Sequence, residues 1–105
     1  MLSEADRIDI VAKSPKGEIL LGISAHEDWN QNPHTVNQLD AKLKNYIHFI
    51  EGGQYRSQYG NAPVLIKIMT AHPLSPKAEK LIKRVSKATG INIEADVMGA
   101  FNPFN

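Results

Sequence analysis

Residues 64–97 read VLIKIMTAHPLSPKAEKLIKRVSKATGINIEADV and predict a strand, a helix and a second strand in direct succession. The stretch begins with an almost wholly apolar run, which favours a buried strand. Ser75 followed by Pro76 is typical of a helix start, because serine caps free N–H groups and proline fits the first helical position. Gly90 ends the helix, and apolar and polar side chains alternate from Ile91 as they do in a strand.

The preceding half of the chain predicts a hairpin and a further helix. Residues 8–13 and 19–23 alternate in hydrophobicity on either side of a Ser-Pro-Lys-Gly turn, a pattern typical of a β-hairpin. Asn32 and Pro33 repeat the cap-and-proline start, and Gly52 stops the helix. The apolar face of this helix consists of Val36, Leu39, Leu43, Tyr46, Ile47 and Ile50.

The predicted order of elements is therefore β-β-α-β-α-β. Because strand–helix–strand connections are right-handed, both helices are expected on one face of the sheet. The predicted fold class is α+β or α/β: a two-layer sandwich with a four-stranded mixed sheet, whose first strand is antiparallel to the other three. A chain of 105 residues fits one domain. We expect terminal tails at residues 1–6 and 99–105, and a polar loop at residues 54–63 that could include one helical turn.

The composition and motifs exclude several classes of function. The chain has no cysteine, which excludes disulfides, thiolate metal sites, iron–sulfur clusters and cysteine nucleophiles. It also lacks a phosphate-binding glycine loop, a nucleophile elbow, a Rossmann fingerprint and a His-Glu-x-x-His zinc motif. No cationic segment followed by an apolar stretch begins the chain, and the longest apolar run, residues 19–23, is interrupted by Gly22. We therefore expect a cytoplasmic protein that does not span a membrane.

One edge of the predicted sheet gathers polar residues. If the second and third strands are parallel, the loops 25–32 and 71–74 leave the sheet at the same edge, where open α/β sheets bind ligands. Their side chains suit Zn²⁺ or acid–base chemistry, but the spacing matches no established metal motif, and we expect no metal and no cofactor. In the favoured alternative, Trp29 anchors its loop on the core while His26 and Asp28 hydrogen-bond exposed backbone groups. The candidate ligand-binding residues are His26, Asp28, Trp29, His34 and His72.

The second predicted helix carries a basic face, which consists of Lys77, Lys80, Lys83, Arg84 and Lys87. Such a face either binds nucleic-acid phosphates or is solvated. The net charge of the chain is only +1, and no aromatic side chains are interleaved with these cations. We therefore expect a solvated face and no nucleic-acid partner.

Surplus apolar residues indicate a protein-contact surface. Phe49 lies off the apolar face of its helix, and Phe101 and Phe104 flank a proline in the C-terminal tail, which could alternatively strap over its own sheet. These features predict a homodimer or a complex with an unidentified protein. The outer face of the sheet is expected to be half apolar, with Val11, Leu20, Leu65 and Met69 among Asp9, Lys13 and Glu94.

The absence of common catalytic motifs favours a non-catalytic binding or protein-interaction module over an enzyme. Two alternatives stay open. One is an enzyme, or a metal- or anion-binding protein, that uses the His26–Trp29 and His72 loops. The other is a nucleic-acid binder that uses the Lys77–Lys87 helix face.

Three stretches, DRIDIV at 6–11, ISAHEDW at 23–29 and QLDAKLKNYIHFIEG at 38–52, carry a resemblance over residues 6–93. They resemble a family of small bacterial proteins classed only as a domain of unknown function. The family has a segment similar to Ser-Asp-His-x-Asp-Trp, matched here by Ser24, His26, Asp28 and Trp29. Ala25 stands where the family has an acid, so a metal or proton-transfer role that needed this acid would be missing here. The resemblance implies a bacterial, cytoplasmic source and no known activity.

Overall fold

The computed structural model of the protein describes residues 2–32 and 34–98. Within these ranges the chain forms four strands and three helices, and no helix is long and apolar enough to cross a membrane. In chain order, the elements are β1 Ile10–Lys13, β2 Ile19–Ala25, α1 His34–Glu51, α2 Gln54–Tyr59, β3 Val64–Thr70, α3 Pro76–Thr89 and β4 Asn92–Val97.

The described strands form a mixed sheet in the order β1-β2-β3-β4. β1 runs antiparallel to β2, whereas β2, β3 and β4 run parallel to one another. The buried sides of α1 and α3 share one core with the sheet. The predicted two-layer arrangement with a four-stranded mixed sheet is thus confirmed, and α2 is an addition to it.

Both long helices begin as their capping residues predict. The hydroxyl of Ser75 accepts the N–H of Ala78 at 3.2 Å, and the side-chain oxygen of Asn32 accepts the N–H of His34 at 2.9 Å. Each bond satisfies an N–H group that has no partner within its helix. Pro33, predicted as the first helical residue, lies outside the described residues.

The core lies between the helices and one face of the sheet. Leu21 and Ile66 are register partners, and both are fully buried on this face. Leu2 also belongs to the core, so the stretch that we expected to be an N-terminal tail is anchored at this residue. The tail predicted at residues 99–105 lies outside the described residues. Further buried members are Ile19, Ile23, Ala25, Leu39, Leu43, Tyr46, Ile68, Ala78, Leu81 and Ile82.

The segment after α1 folds into the short helix α2, where we expected a loop that could include one helical turn. Its Tyr55 is buried and donates a hydrogen bond to the carbonyl of Ala62 at 2.6 Å. The ring of Phe49 packs edge-on against Tyr55, with ring centroids 6.2 Å apart. Phe49 is partly buried and packs against α2 within the fold, and its assignment to a protein-contact surface stays a prediction. Phe101 and Phe104 lie outside the described residues.

β1 alternates in the opposite phase to the predicted one. Val11 is the register partner of the buried Leu21, and residues directly opposite each other on antiparallel strands share a face. Val11 and Lys13 therefore lie on the helix side, and Ile10 and Ala12 lie on the outer face. The expectation that Val11, Asp9 and Lys13 belong to the outer face was wrong for this strand.

The reason for this phase is a buried ion pair between the segment before β1 and helix α1. The Lys42 side chain is 0% exposed, and its Nζ lies 2.6 Å from Oδ1 of Asp9, whose side chain is 7% exposed. The ammonium also donates to the carbonyl of Glu4 at 3.0 Å. Oδ2 of Asp9 accepts the N–H of Ser24, a β2 residue beyond the last β1 pair, at 3.0 Å. A charge buried this deeply needs such partners, so Asp9 must point towards the helices.

Tyr46 of α1 completes this network. Its hydroxyl accepts the N–H of Asp9 at 2.9 Å and donates to the carbonyl of Gly22 at 2.6 Å. Burial of the hydroxyl is the main cause that raises the pKa of Tyr46 far above its usual value. The phenol therefore stays neutral, and it links the strand hairpin directly to α1.

The pKa of Asp9 is lower than its usual value of 3.8. Burial on its own raises the pKa, but the causes that lower it, among them the hydrogen bond and charge of Lys42 and the N–H of Ser24, together outweigh burial. The folded state therefore binds this proton less tightly than the unfolded chain does. The stability that the charged pair contributes is complete above pH 3.8 and is lost as the pH falls through the folded-state pKa.

We predict that Asp9→Asn lowers the free energy of unfolding at pH 7 by about 3–5 kcal/mol, because it removes the carboxylate that pairs with the buried Lys42 ammonium. Adding Lys42→Met to this variant should restore part of the loss, since the double variant no longer buries the ammonium. Urea unfolding of the parent, both single variants and the double variant measures the coupling.

The same four proteins test the pH dependence. Acidification from pH 7 to below pH 3.8 should cost the parent more stability than the double variant. Equal losses in the two proteins, or single variants as stable as the parent, would contradict a buried charged pair.

Candidate functional site

The loops that follow β2 and β3 meet at one edge of the sheet, as the sequence predicts. Ala25 and Thr70, the last residues of these strands, are register partners. The N–H of Ala71 donates to the carbonyl of Ala25 at 2.9 Å and holds the starts of the two loops together. This edge brings the segment 26–29 close to the segment that begins at Ala71.

Trp29 anchors the first of these loops. Its side chain is buried in the core, at 3% exposure, and its indole N–H donates to the Thr70 hydroxyl at 2.9 Å. That hydroxyl in turn donates to the carbonyl of His72 at 2.8 Å. A chain of hydrogen bonds thus connects the first loop to the second through the end of β3, with the polar edge of the tryptophan satisfied.

The polar side chains of this edge bond mainly to nearby groups. Asp28 accepts the N–H of Asn30 at 2.9 Å, the side chain of Glu27 accepts the N–H of His26 at 3.2 Å, and His26 contacts the Ser24 hydroxyl at 3.4 Å. His26, His34 and His72 are exposed. In residues 2–32 and 34–98, no three His, Asp or Glu side chains are grouped so that they could hold a metal ion.

A groove runs between α1 and α3, and we call it the α1–α3 groove. It consists of three adjoining hollows of about 580, 280 and 350 Å³. Val36, Asn37 and Lys77 line both the first and the second hollow. Asp40 and Arg84 line both the second and the third. The shared residues make the groove continuous from the start of α1 towards the last turn of α3.

The floor of this groove is apolar and its α3 rim is basic. The α1 rim carries a carboxylate, but Lys44 neutralises it, because its Nζ lies 3.0 Å from Oδ2 of Asp40. The apolar lining residues are Val36, Ile47, Leu81, Val85 and Ala88. The cations on the α3 rim are Lys77, Lys80 and Arg84.

The predicted basic face therefore divides into two sets. Three of its cations border the α1–α3 groove, and the other two, Lys83 and Lys87, line none of its hollows. Sequence reasoning missed the groove because its existence depends on how far apart α1 and α3 lie, which helix periodicity does not reveal. One available signal was that Ile47 and Ala88 stand at the margins of the two predicted apolar faces.

We predict that Trp29→Ala lowers the free energy of unfolding by about 3–5 kcal/mol, because the ring fills the core at the end of β2 and β3. Trp29→Phe keeps most of this contact and loses the bond to Thr70, so it should cost less than Trp29→Ala. His26→Ala is the matched control on the same loop and should change stability by less than about 0.5 kcal/mol, since the ring is exposed.

Thermal unfolding with and without Zn²⁺, Mn²⁺ and phosphate measures these differences. We expect none of the ions to raise the melting temperature. An ion that stabilised the parent but not the His26→Ala variant, together with a tolerated Trp29→Ala, would show that this edge is a binding site.

Comparison with known proteins gives a family and no activity. No curated protein and no solved structure matches the chain significantly. A family profile described as a family of unknown function (DUF6572) matches residues 1–98. This match spans nearly the whole chain and agrees with the resemblance seen in the sequence. The protein therefore belongs to this family of unknown function.

Proposed function

We propose that this protein is a non-catalytic interaction module that binds an acidic, amphipathic helical segment of a partner protein in the α1–α3 groove. The observation that carries the proposal is the combination of an apolar floor with a one-sided basic rim. A purely solvated helix face would not need an apolar floor, and a site for a bare anion would not use one.

The shape of the groove suits a helix. On α1 it extends from Val36 to Ile47, which at 1.5 Å per residue is about 17 Å, or roughly three helical turns. A third helix can lie between two neighbouring helices and insert its apolar ridge between them. Amphipathic helices bind grooves in this way through apolar residues that recur at helical spacing.

The charges of the rim indicate what flanks that apolar stripe. In the described part of the chain, no ion pair neutralises Lys77, Lys80 or Arg84. A partner with carboxylates beside its apolar stripe would pair with these cations, and the guanidinium of Arg84 can bind a carboxylate through two parallel bonds. Such charges steer association and select the orientation of the partner.

A nucleic acid would use the same helix differently. Phosphates follow the density of positive charge, so a duplex would engage the whole basic face, including Lys83 and Lys87. An acidic helix in the α1–α3 groove would engage the three cations that border it. The two pairs Lys80/Arg84 and Lys83/Lys87 carry equal charge on one helix, and they therefore separate the two modes of binding.

We predict that Lys80→Glu/Arg84→Glu weakens binding of an acidic amphipathic peptide by about tenfold or more, because the rim then repels the peptide. The probe is a labelled synthetic helix with leucine along one face and glutamate on both flanks, followed by fluorescence anisotropy. Lys83→Glu/Lys87→Glu is the matched control and should bind the peptide with little change. Val85→Ser should also weaken binding, because it makes the floor of the groove less apolar and leaves the charge of the rim unchanged.

Two control peptides complete the experiment: one with the same leucines scattered around the helix, and one with lysine in place of glutamate. Neither should bind. The proposal fails if the acidic peptide does not bind, or if both double variants weaken it equally. Tight binding of duplex DNA that both double variants abolish would replace it with a nucleic-acid function.

A further inference from the structure

We infer that β1 is a pairing edge for a second copy of this chain, so that two sheets join edge to edge across a two-fold axis. Among the strands of residues 2–32 and 34–98 the sheet begins at β1, which has a strand neighbour there on one side only. All four of its residues are exposed, and Ile10 and Val11 are 43% and 46% exposed although they point to opposite faces. An exposed apolar edge strand is a template for strand pairing.

The backbone N–H and C=O groups of Val11 point away from β2, towards the open edge of the sheet. Hydrogen-bonded and non-hydrogen-bonded pairs alternate along an antiparallel ladder. The N–H of Ser14 donates across the turn to the carbonyl of Glu18 at 2.8 Å, which fixes the phase of this alternation. The register then directs the backbone groups of Ile10 and Ala12 towards β2. Those of Val11 and Lys13 face the open edge.

The two-fold pairing has a preferred register. An antiparallel pair centred on Val11 places Val11 against the second copy's Val11 on the helix side. It also places Ile10 against the second copy's Ala12 on the outer face, so that apolar residues meet on both faces. A register centred on Ile10 would instead bring Lys13 opposite Arg7, two like charges.

Charge complementarity supports the same register. The turn after β1 carries Lys16, and the antiparallel arrangement brings this turn towards the segment that precedes β1 in the second copy, where Asp6 is exposed. In residues 2–32 and 34–98, neither of these two side chains forms an ion pair. The two-fold axis doubles each contact, so both ends of the paired strands join a cation to a carboxylate.

The opposite edge of the sheet has no comparable property. β4 carries Glu94 and Asp96 on its outer face, where Lys67 of β3 pairs with Asp96 at 2.9 Å. Two antiparallel copies of β4 would bring four carboxylates together with only two such lysines. Like charges opposite each other on paired strands are destabilising. Since β1 is short and contributes a small area, we expect a weak dimer with a dissociation constant in the micromolar range or above, rather than an obligate one.

The test is sedimentation equilibrium over a range of protein concentrations. The mean mass of the parent should rise with concentration from 11.6 kDa towards twice that value. Val11→Lys should raise the dissociation constant of the dimer by about tenfold or more, because it places two ammonium groups against each other at the axis. Val97→Lys is the matched control, since Val97 lies on the opposite edge and is 48% exposed.

Exchanging the charges of Lys16 and Asp6 tests both the register of the paired strands and whether the partner is a second copy of this chain. Lys16→Glu and Asp6→Lys should each weaken the dimer, and a chain that carries both substitutions should regain the affinity of the parent. Circular dichroism confirms that every variant is folded. The inference fails if the parent stays at 11.6 kDa at all concentrations, if Val97→Lys weakens the dimer as much as Val11→Lys does, or if the double exchange does not restore it. Because β1 and the α1–α3 groove share no residue, this outcome is independent of peptide binding.

Discussion

The ammonium group of Lys42 is buried beneath the N-terminal segment, and its need for a charged partner constrains the whole first half of the chain. An unpaired cation in this position would destabilise the fold by several kcal/mol, so Asp9 has to face α1. Period-two geometry then directs Val11 and Lys13 to the helix side and Ile10 and Ala12 to the outer face. The buried pair thus fixes the phase of β1, which the weak apolar alternation of the strand would leave ambiguous.

The same ion pair determines the residue at which β1 begins. Asp9 uses its carboxylate to accept the N–H of Ser24, and it gives its own N–H to the hydroxyl of Tyr46. The bond to Ser24 takes an N–H that a longer β1 would engage, so regular pairing begins only at Ile10. β1 is consequently a short strand whose residues are all exposed.

Much of the fold could be predicted because local signals agreed with the tertiary structure. Ser75 caps α3 as its residue type predicts, and the apolar faces of the two long helices are the ones that are buried. The phase of β1 could not be predicted from alternation, because Asp9 looks like a solvent-facing residue until its partner is known. The signal was in α1: Lys42 stands three residues after Leu39 and four before Tyr46, on the buried face of the helix.

The candidate site was harder to predict than the fold, because α2 and the loop edge both depend on side-chain contacts that local sequence patterns do not reveal. α2 forms because Tyr55 finds Phe49 and the carbonyl of Ala62, contacts that are invisible in a polar, glycine-flanked sequence. The loop edge was correctly placed, but Trp29 fills it from within.

The proposed function assigns recognition to the α1–α3 groove and not to the loop edge. Trp29 and the Thr70 hydroxyl join the two loops by core packing and hydrogen bonds, and Trp29 also lines the first hollow of the α1–α3 groove. Further along, the groove keeps apolar side chains in contact with water, together with cations that form no ion pair within the described residues. Its cations gain little while they are solvated, and their attraction to a carboxylate strengthens when an apolar partner displaces that water. An apolar floor and a basic rim thus favour the same occupant, because apolar residues that displace water from the floor also strengthen the ion pairs at the rim.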